Sequence, residues 1–249
     1  MAKINAKLLS DHGINTMAIA YFNVPDSPKI IKEVPIDYME RAITYAKSVH
    51  YEKIGLWGIS MGSIYVLLSA CYFPDLVDVV MAASPCYFVI QAIDSRWNTV
   101  YDCSSCSYKG KGIPYEPFGV KVSLAKTVLE ALKHLEPSYA YVYQPMVGKV
   151  PEEHWIPVEK MKARVILFSG KLDELLPSYE FAEIIMKRLR DSNYSYPYEH
   201  IVCEYGGHLM APFPTPLDVF IKANRKYKKE AEQYRKEHLD KILDTFKTL

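Results

Sequence analysis

The chain has 249 residues, of which 49% are hydrophobic and 24% are charged, and its formal net charge is +1 at pH 7. This balance is typical of a globular protein, and the length suits one large α/β domain or two small ones. Lysine and arginine are interspersed with aspartate and glutamate, so no basic stripe indicates nucleic acid as a partner. No apolar run reaches about 18 residues, so no membrane span is predicted.

The predicted elements begin as alternating helices and strands. Apolar residues at helical spacing predict helices over residues 2–12, 35–50, 60–72 and 179–191, with Pro35 in the first turn of the second. Short apolar runs predict buried strands over residues 15–22, 53–58, 76–83, 165–169 and 199–203. This alternation predicts a doubly wound, mainly parallel sheet with helices on both faces.

Two stretches depart from this alternation. Residues 84–160 contain one helical piece, at 124–134, and are too long for a plain loop, so we predict a cap-like insertion. Residues 216–249 are predicted to form a charged C-terminal helical segment that packs along one face of the sheet. No internal repeat or low-complexity segment interrupts the chain, and we predict a single domain over residues 1–249.

The chain has five cysteines. Cys71, Cys86 and Cys203 lie in apolar runs and are predicted to be small core residues. Cys103 and Cys106 form a C-x-x-C pair, but no second pair completes a zinc site and the strand-then-helix context of a redox motif is missing. We therefore predict no metal and no cofactor. The odd cysteine count and the lack of an apolar leader predict a reducing, cytoplasmic location.

The sequence Gly58-Ile59-Ser60-Met61-Gly62 lies between a predicted strand and a predicted helix. In a Gly-x-Ser-x-Gly motif with this context, the serine occupies a sharp turn, and the glycines remove side chains that would clash across it. The following helix directs its N-terminus at the site, which favours developing negative charge. Although a structural serine in a tight turn is the alternative, this context favours Ser60 as a nucleophile, with the Met61 N–H as an oxyanion donor.

A serine nucleophile needs a base, and the base needs an acid that orients it. Asp173 and His208 each follow a predicted strand, and the order serine, acid, histidine is that of an α/β-hydrolase. Because the carboxyl ends of parallel strands meet at one edge of a sheet, the three side chains are expected to lie together. We predict Asp173 as the acid, with Glu174 as its competitor. We predict His208 as the base, placed by a loop that two glycines make flexible.

Several stretches, in this order, resemble the C-terminal catalytic domain of the acyl-CoA thioesterase and bile acid-CoA:amino acid N-acyltransferase family, relatives of the dienelactone hydrolases. They are AKLLSDHGINTMAIAYF, VPIDYMERAITYAKS, KIGLWGISMGS, YKGKGIPYEPF, SGKLDELLPS and YGGHLMAPF. The resemblance implies an α/β-hydrolase fold, the triad Ser60, Asp173 and His208, and acyl thioesters such as acyl-CoA as substrates. In this family the nucleophile tends to be serine in thioesterases and cysteine in conjugating enzymes, so Ser60 favours hydrolysis.

Compared with this family, the chain is expected to lack two features. The N-terminal β-sandwich of eukaryotic members has no counterpart, and the chain begins at the helix that follows the third strand of the fold. The earlier strands, and the loop that supplies a second oxyanion donor, are therefore expected to be missing, and one lost donor typically costs ~2.7–4 kcal/mol of transition-state stabilisation. Three explanations for the missing strands are open. The start of the protein lies upstream, a partner such as a second copy covers the exposed sheet edge, or the protein is a weakened hydrolase.

Four hypotheses follow from the sequence. The leading one is a serine hydrolase that cleaves an acyl thioester or carboxylic ester, for which Lys109 and Lys111 either bind CoA phosphates or belong to a solvated loop. The second is a dienelactone-hydrolase-like or general esterase for small esters. The third is an inactive binding or regulatory module that keeps the fold. The fourth is a peptidase, since the same triad cleaves peptides. Transfer of the acyl group to an amine acceptor is the alternative to hydrolysis.

Overall fold

A computed structural model describes residues 2–25, 27–94 and 99–249. Its centre is a four-stranded parallel sheet in the spatial order β4-β3-β2-β1. The strands are β1 (Gly55–Ile59), β2 (Val79–Ala83), β3 (Arg164–Gly170) and β4 (Tyr198–Cys203). The helices are α1 (Ala2–Asp11), α2 (Asp37–Ser48), α3 (Met61–Tyr72), α4 (Leu124–His134), α5 (Ala140–Tyr143), α6 (Ser178–Asp191), α7 (Lys222–Lys226) and α8 (Lys228–Lys247).

Two apolar layers cover the sheet, because successive strand residues point to opposite faces. Val80 and Leu167 belong to a cluster that includes residues of α2, α3 and α6. Met81 and Phe168, one position further along their strands, belong to a second cluster that includes residues of α1 and α8. This arrangement confirms the predicted doubly wound sheet with helices on both faces.

Helix α3 is buried more completely than its sequence predicts. The helical spacing of Ile64, Leu67, Leu68 and Cys71 predicts one buried face, but every residue from 63 to 71 is buried. A helix that is apolar on all sides requires a cover on its outer side. Tyr72, at its C-terminal end, packs edge-on against Tyr108 from the segment 84–160.

The predicted strand over residues 15–22 is wrong. No strand is formed there, and Met17 is 50% exposed. A short apolar run becomes a strand only when a neighbouring strand pairs with its backbone groups, and apolar composition alone cannot supply that partner. In the described part of the chain, the sheet ends at β1.

The position of Pro35 also differs from the one predicted. This residue belongs to the two-residue strand Val34–Pro35, and the helix begins two residues later, at Asp37. The Ser107 carbonyl accepts a hydrogen bond from Ile36 N–H at 2.9 Å, so this segment pairs with a neighbouring strand before the helix starts.

Residues 84–160 contain short strands and helical turns. One small antiparallel sheet joins Ile30–Ile31, Gln91–Asp94 and Val100–Ser104. A second small sheet is mixed and joins Val34–Pro35, Cys106–Tyr108 and Lys111–Gly112. Single-turn 3-10 helices occupy Gln144–Met146, Glu152–His154 and Val158–Lys160 here, and Pro74–Leu76 and Pro216–Phe220 elsewhere.

Cys103 and Cys106 carry free thiols, half-buried and buried respectively. Burial raises the pKa of the Cys106 thiol to about 12, which keeps it protonated and unreactive at neutral pH. Within residues 2–25, 27–94 and 99–249, no group of three or more histidine, cysteine or acidic side chains could hold a metal ion. None of the helices described is long and apolar enough to cross a membrane.

Helix α8 places an imidazole inside the core. His238 is buried, stacks on Phe168 at 3.6 Å between ring centroids, and accepts a hydrogen bond from Trp57 Nε1 at 3.3 Å. Because burial penalises the charged form, the pKa of His238 falls to about 3 from an ordinary value of 6.5. The folded protein therefore holds a neutral imidazole here, whereas the unfolded chain takes up a proton below pH 6.5.

This difference predicts an acid-sensitive fold. A folded-state pKa below the unfolded value gives stability that is present above pH 6.5 and is lost as the pH falls toward 3. Between pH 7.5 and pH 5, the wild-type protein is expected to lose about 2 kcal/mol more unfolding free energy than His238→Gln. Urea unfolding at both pH values measures this loss, and equal losses for the two proteins would contradict the prediction.

Candidate active site

Ser60 lies at the turn between β1 and α3, at the carboxyl edge of the sheet. Its backbone has φ 56° and ψ −121°, a conformation that a non-glycine residue rarely adopts. The Ser60 N–H donates to the Ala83 carbonyl at 2.9 Å, which ties the turn to the end of β2. This strain, held by the surrounding structure, is what a sharp strand-to-helix turn requires in order to present a serine hydroxyl.

Gly58 makes the turn possible because the backbone of Gly62 passes directly over its Cα. A Cβ on residue 58 would overlap the Gly62 carbonyl group. Gly58→Ala is therefore expected to lower the unfolding free energy by about 3–5 kcal/mol, since rigid backbone cannot move aside. Chemical denaturation measures the effect, and Gly119→Ala, where a Cβ meets nothing within 4 Å, is the matched control. A Gly58→Ala variant as stable as the control would contradict the close approach.

His208 lies in the loop after β4 and bridges the other two predicted residues. Its Nε2 is 2.8 Å from Ser60 Oγ, and its Nδ1 is 3.0 Å from each carboxylate oxygen of Asp173. The residue is 6% exposed, so the ring is fixed between its partners. The nearby glycines allow close packing rather than flexibility, since a Cβ on Gly170 would overlap the Gly206 carbonyl group.

The carboxylate of Asp173 is held by four donors. Besides His208, it accepts the N–H groups of Leu175 and Leu176 at 3.0 Å and the hydroxyl of Ser178 at 2.6 Å. Its side chain is 1% exposed. These hydrogen bonds fix the buried carboxylate in place and offset the free-energy cost of removing it from water.

Glu174, the competing acid, points away from the site. Its Oε2 is 3.1 Å from His134 Nδ1, and its side chain is half-buried. The geometry therefore pairs Asp173, and not Glu174, with the imidazole next to Ser60.

Three further serines support the site, and the sequence did not single them out. Ser84 Oγ donates to the His208 carbonyl at 2.6 Å, Ser63 Oγ donates to the Ser60 carbonyl at 2.6 Å, and Ser178 donates to Asp173. The only local signal for Ser84 is its position directly after a strand, where it adopts φ 45°. The partner of Ser84 lies 124 residues away along the chain, which no local pattern specifies, whereas Ser63 and Ser178 lie three and five residues from their partners.

An apolar cavity of about 390 Å³ opens beside Ser60. Besides Ser60, Met61 and His208, its walls are formed by Ile59, Ile64, Cys86, Ile90, Pro137, Tyr139, Tyr143, Leu175, Leu176 and Leu209. Met61 N–H is the first amide of α3 and has no partner within the helix, so it is available to a developing oxyanion. Burial raises the pKa of the Cys86 thiol well above its usual range, so this thiol is a neutral part of the wall.

Lys109 and Lys111 are not among the residues that line this cavity. The turn that carries Lys109 packs through Tyr108 against Tyr72, at the far end of α3. A twelve-residue helix is about 18 Å long, so this turn is far from Ser60. The position favours the solvated-loop alternative.

Comparison with known proteins identifies the family. The sequence profile described as "BAAT / Acyl-CoA thioester hydrolase C terminal" matches residues 34–231, well over half of the chain. The chain belongs to this family. The resemblance inferred from the sequence motifs is thereby confirmed.

Two curated relatives illustrate the range of activities in the family. Acyl-coenzyme A thioesterase 2, mitochondrial, of Mus musculus is 29% identical over 222 residues, which are 87% of this chain and 44% of the relative. Acyl-coenzyme A amino acid N-acyltransferase 1 of Mus musculus is 25% identical over 220 residues, which are 87% of this chain and 47% of the relative. The chain thus spans about half the length of the curated relatives it matches.

The solved structures to which this chain is similar include MGS-M1, an alpha/beta hydrolase enzyme from a Medee basin deep-sea metagenome library. The match has a TM-score of 0.45 and 15% identity, and it covers 97% of this chain and 76% of that one.

Proposed function

We propose that the protein is a serine hydrolase that cleaves acyl thioesters of the acyl-CoA type through Ser60, His208 and Asp173. The observation that carries the proposal is the continuous hydrogen-bonded chain from Ser60 Oγ through His208 to Asp173 beside an apolar cavity. Such a chain lets an imidazole remove the serine proton while the carboxylate orients the ring and stabilises its charged form.

The chemistry proceeds in two halves. Ser60 Oγ attacks the acyl carbonyl carbon, its proton passes to His208 Nε2, and the resulting oxyanion accepts a hydrogen bond from Met61 N–H. Collapse of this intermediate breaks the bond to the leaving group, which takes the proton from His208 and leaves an acyl group on Ser60. Water, deprotonated by His208, then releases the carboxylic acid and restores the serine.

The volume and apolar lining of the cavity and the names of the relatives support the substrate class. An apolar cavity of about 390 Å³ holds roughly a dozen non-hydrogen atoms at ~30 Å³ each, which suits a medium-length acyl chain better than a small polar ester. The relatives include acyl-coenzyme A thioesterases. An esterase for small esters and an acyltransferase remain the alternatives to be tested, the second because relatives named amino acid N-acyltransferases align over the same region.

Turnover of matched substrates tests the proposal. Acyl-CoA of graded chain length should be hydrolysed with a higher kcat/KM than p-nitrophenyl acetate, and a fluorophosphonate probe should add one label, at Ser60. Acyl-amino acid formed in the presence of glycine or taurine would favour acyl transfer. Labelling without turnover of any acyl-CoA would favour a small-ester esterase, and absence of labelling would contradict the nucleophile.

A further inference from the structure

Helix α4 presents its apolar side to solvent. Helices on a protein surface normally direct apolar residues inward and polar residues outward. None of the residues of α4 is buried. Its large apolar side chains, together with the residue that follows it, are 49–69% exposed; they are Leu124, Val128, Leu129, Leu132 and Leu135.

The polar side of the same helix faces the protein. Thr127 Oγ1 is 3.2 Å from Tyr141 Oη, and His134 lies between Glu130 on its own helix and Glu174 beside the active site. The polarity of α4 is therefore the reverse of that expected for a helix in contact with water. Its apolar side is available for a partner that is itself apolar.

A second exposed apolar segment lies next to α4. Pro216–Phe220 exposes Leu217, Val219 and Phe220. Arg225 connects the two segments, because it donates to the Leu135 carbonyl at 2.6 Å and to the Val219 carbonyl at 2.7 Å. We call the exposed apolar side chains of α4, Leu135 and Pro216–Phe220 the outer apolar surface.

The charges around this surface are mainly positive. The exposed cations along the two segments are Lys121, Lys126, Lys133, Lys222, Arg225 and Lys226. The acids between them have partners: Glu130 faces His134 and is 3.8 Å from Lys133, Glu136 accepts the Lys222 N–H, and Asp218 pairs with Arg235. Apolar side chains surrounded by cations are complementary to a partner that has an apolar interior and anionic groups at its surface.

The outer apolar surface also adjoins the cavity. Pro137 and Tyr139, a few residues beyond α4, line the cavity wall. Leu209, another wall residue, packs in one cluster with Ile221, which follows Phe220 directly. A surface held against this side would therefore lie close to the place where an acyl chain is bound.

We propose that the outer apolar surface docks the protein onto an anionic lipid bilayer. Leucine and phenylalanine side chains enter the interface between headgroups and acyl chains, and the surrounding lysine and arginine side chains contact anionic headgroups. A second copy of the chain fits less well, because symmetric pairing of this surface brings two cationic rims together. This docking goes beyond the proposed hydrolysis and does not depend on it.

Flotation with lipid vesicles tests the proposal. The wild-type protein should bind vesicles of phosphatidylcholine and phosphatidylserine, and binding should weaken with added salt and be negligible on phosphatidylcholine alone. Leu129→Ser/Leu132→Ser should lower the partition coefficient by about tenfold or more, because two exposed apolar side chains are lost. Both positions are exposed, so the thermal unfolding of this variant should match that of the wild type.

Matched controls make the outcome decisive. Val49→Ser/Tyr51→Ser removes two exposed apolar side chains elsewhere and should bind like the wild type, as should Ser60→Ala. Free coenzyme A should not release the protein from the vesicles. Absence of vesicle binding, binding unchanged by Leu129→Ser/Leu132→Ser, or a concentration-dependent dimer abolished by that variant would each overturn the proposal.

Discussion

Ser60→Ala is expected to lower kcat/KM for an acyl-CoA substrate by a factor on the order of 10⁴ to 10⁶. In the proposed mechanism, the variant removes the atom that forms the acyl-enzyme bond, while His208, Asp173 and the cavity remain. The residual activity would come from binding and from the oxyanion donor, acting on a water molecule. Steady-state hydrolysis with a thiol-reactive dye measures the release of CoA.

Two observations separate loss of the nucleophile from loss of the fold. Alanine retains the strained backbone that serine has at this position, so the unfolding free energy should change by less than about 1 kcal/mol. Ser48→Ala, on the exposed end of α2, is the matched control and should keep full activity. Wild-type turnover by Ser60→Ala would assign the chemistry to another residue.

Asp173→Asn is expected to lower kcat by about 10⁴-fold and to destabilise the fold as well. Four donors converge on this buried carboxylate, from His208, Leu175, Leu176 and Ser178. An amide has one acceptor oxygen, and its NH₂ group would face donors, so His208 loses its orientation and buried N–H groups lose their acceptor. Unfolding free energy should fall by about 2–4 kcal/mol.

The matched control is the neighbouring carboxylate. Glu174→Gln keeps Asp173 and its donors and should change kcat by no more than a few fold, because Glu174 faces His134. Kinetics and denaturation of the two variants side by side separate the two acids. A loss with Glu174→Gln that equals the loss with Asp173→Asn would contradict the assignment of the acid.

The strained turn supports Ser60 as the nucleophile, whereas the family relationship supports the class of substrate. The φ of 56° at Ser60, with its close glycine contact, belongs to this chain and describes how a hydroxyl is presented. The family match covers residues 34–231 and bears on the class of substrate. A partner that covers the edge of β1 stays one of three open explanations, and the cytoplasmic location stays a prediction; several relatives carry "mitochondrial" in their names.

Much of the fold could be predicted from the sequence because short-range patterns encode it. The apolar runs at β2, β3 and β4 predict strands correctly, because each of these strands has a neighbouring strand to pair with. Helical periodicity likewise predicts α6. The same reasoning was wrong for residues 15–22, which have the composition of a strand but pair with no strand in the part of the chain that the structure describes. A strand is a property of two chain segments, and one segment cannot specify it.

The chain by itself determined the candidate nucleophile, base and acid, because a glycine-flanked serine and the order of three residues after three strands are local, linear features. Only the tertiary structure decided between Asp173 and Glu174, because folding brings the Asp173 carboxylate to His208, 35 residues away along the chain, and places Glu174 against His134. It also revealed Ser84 and the reversed polarity of α4. Periodicity shows that a helix has an apolar side, but only packing decides which side meets the core.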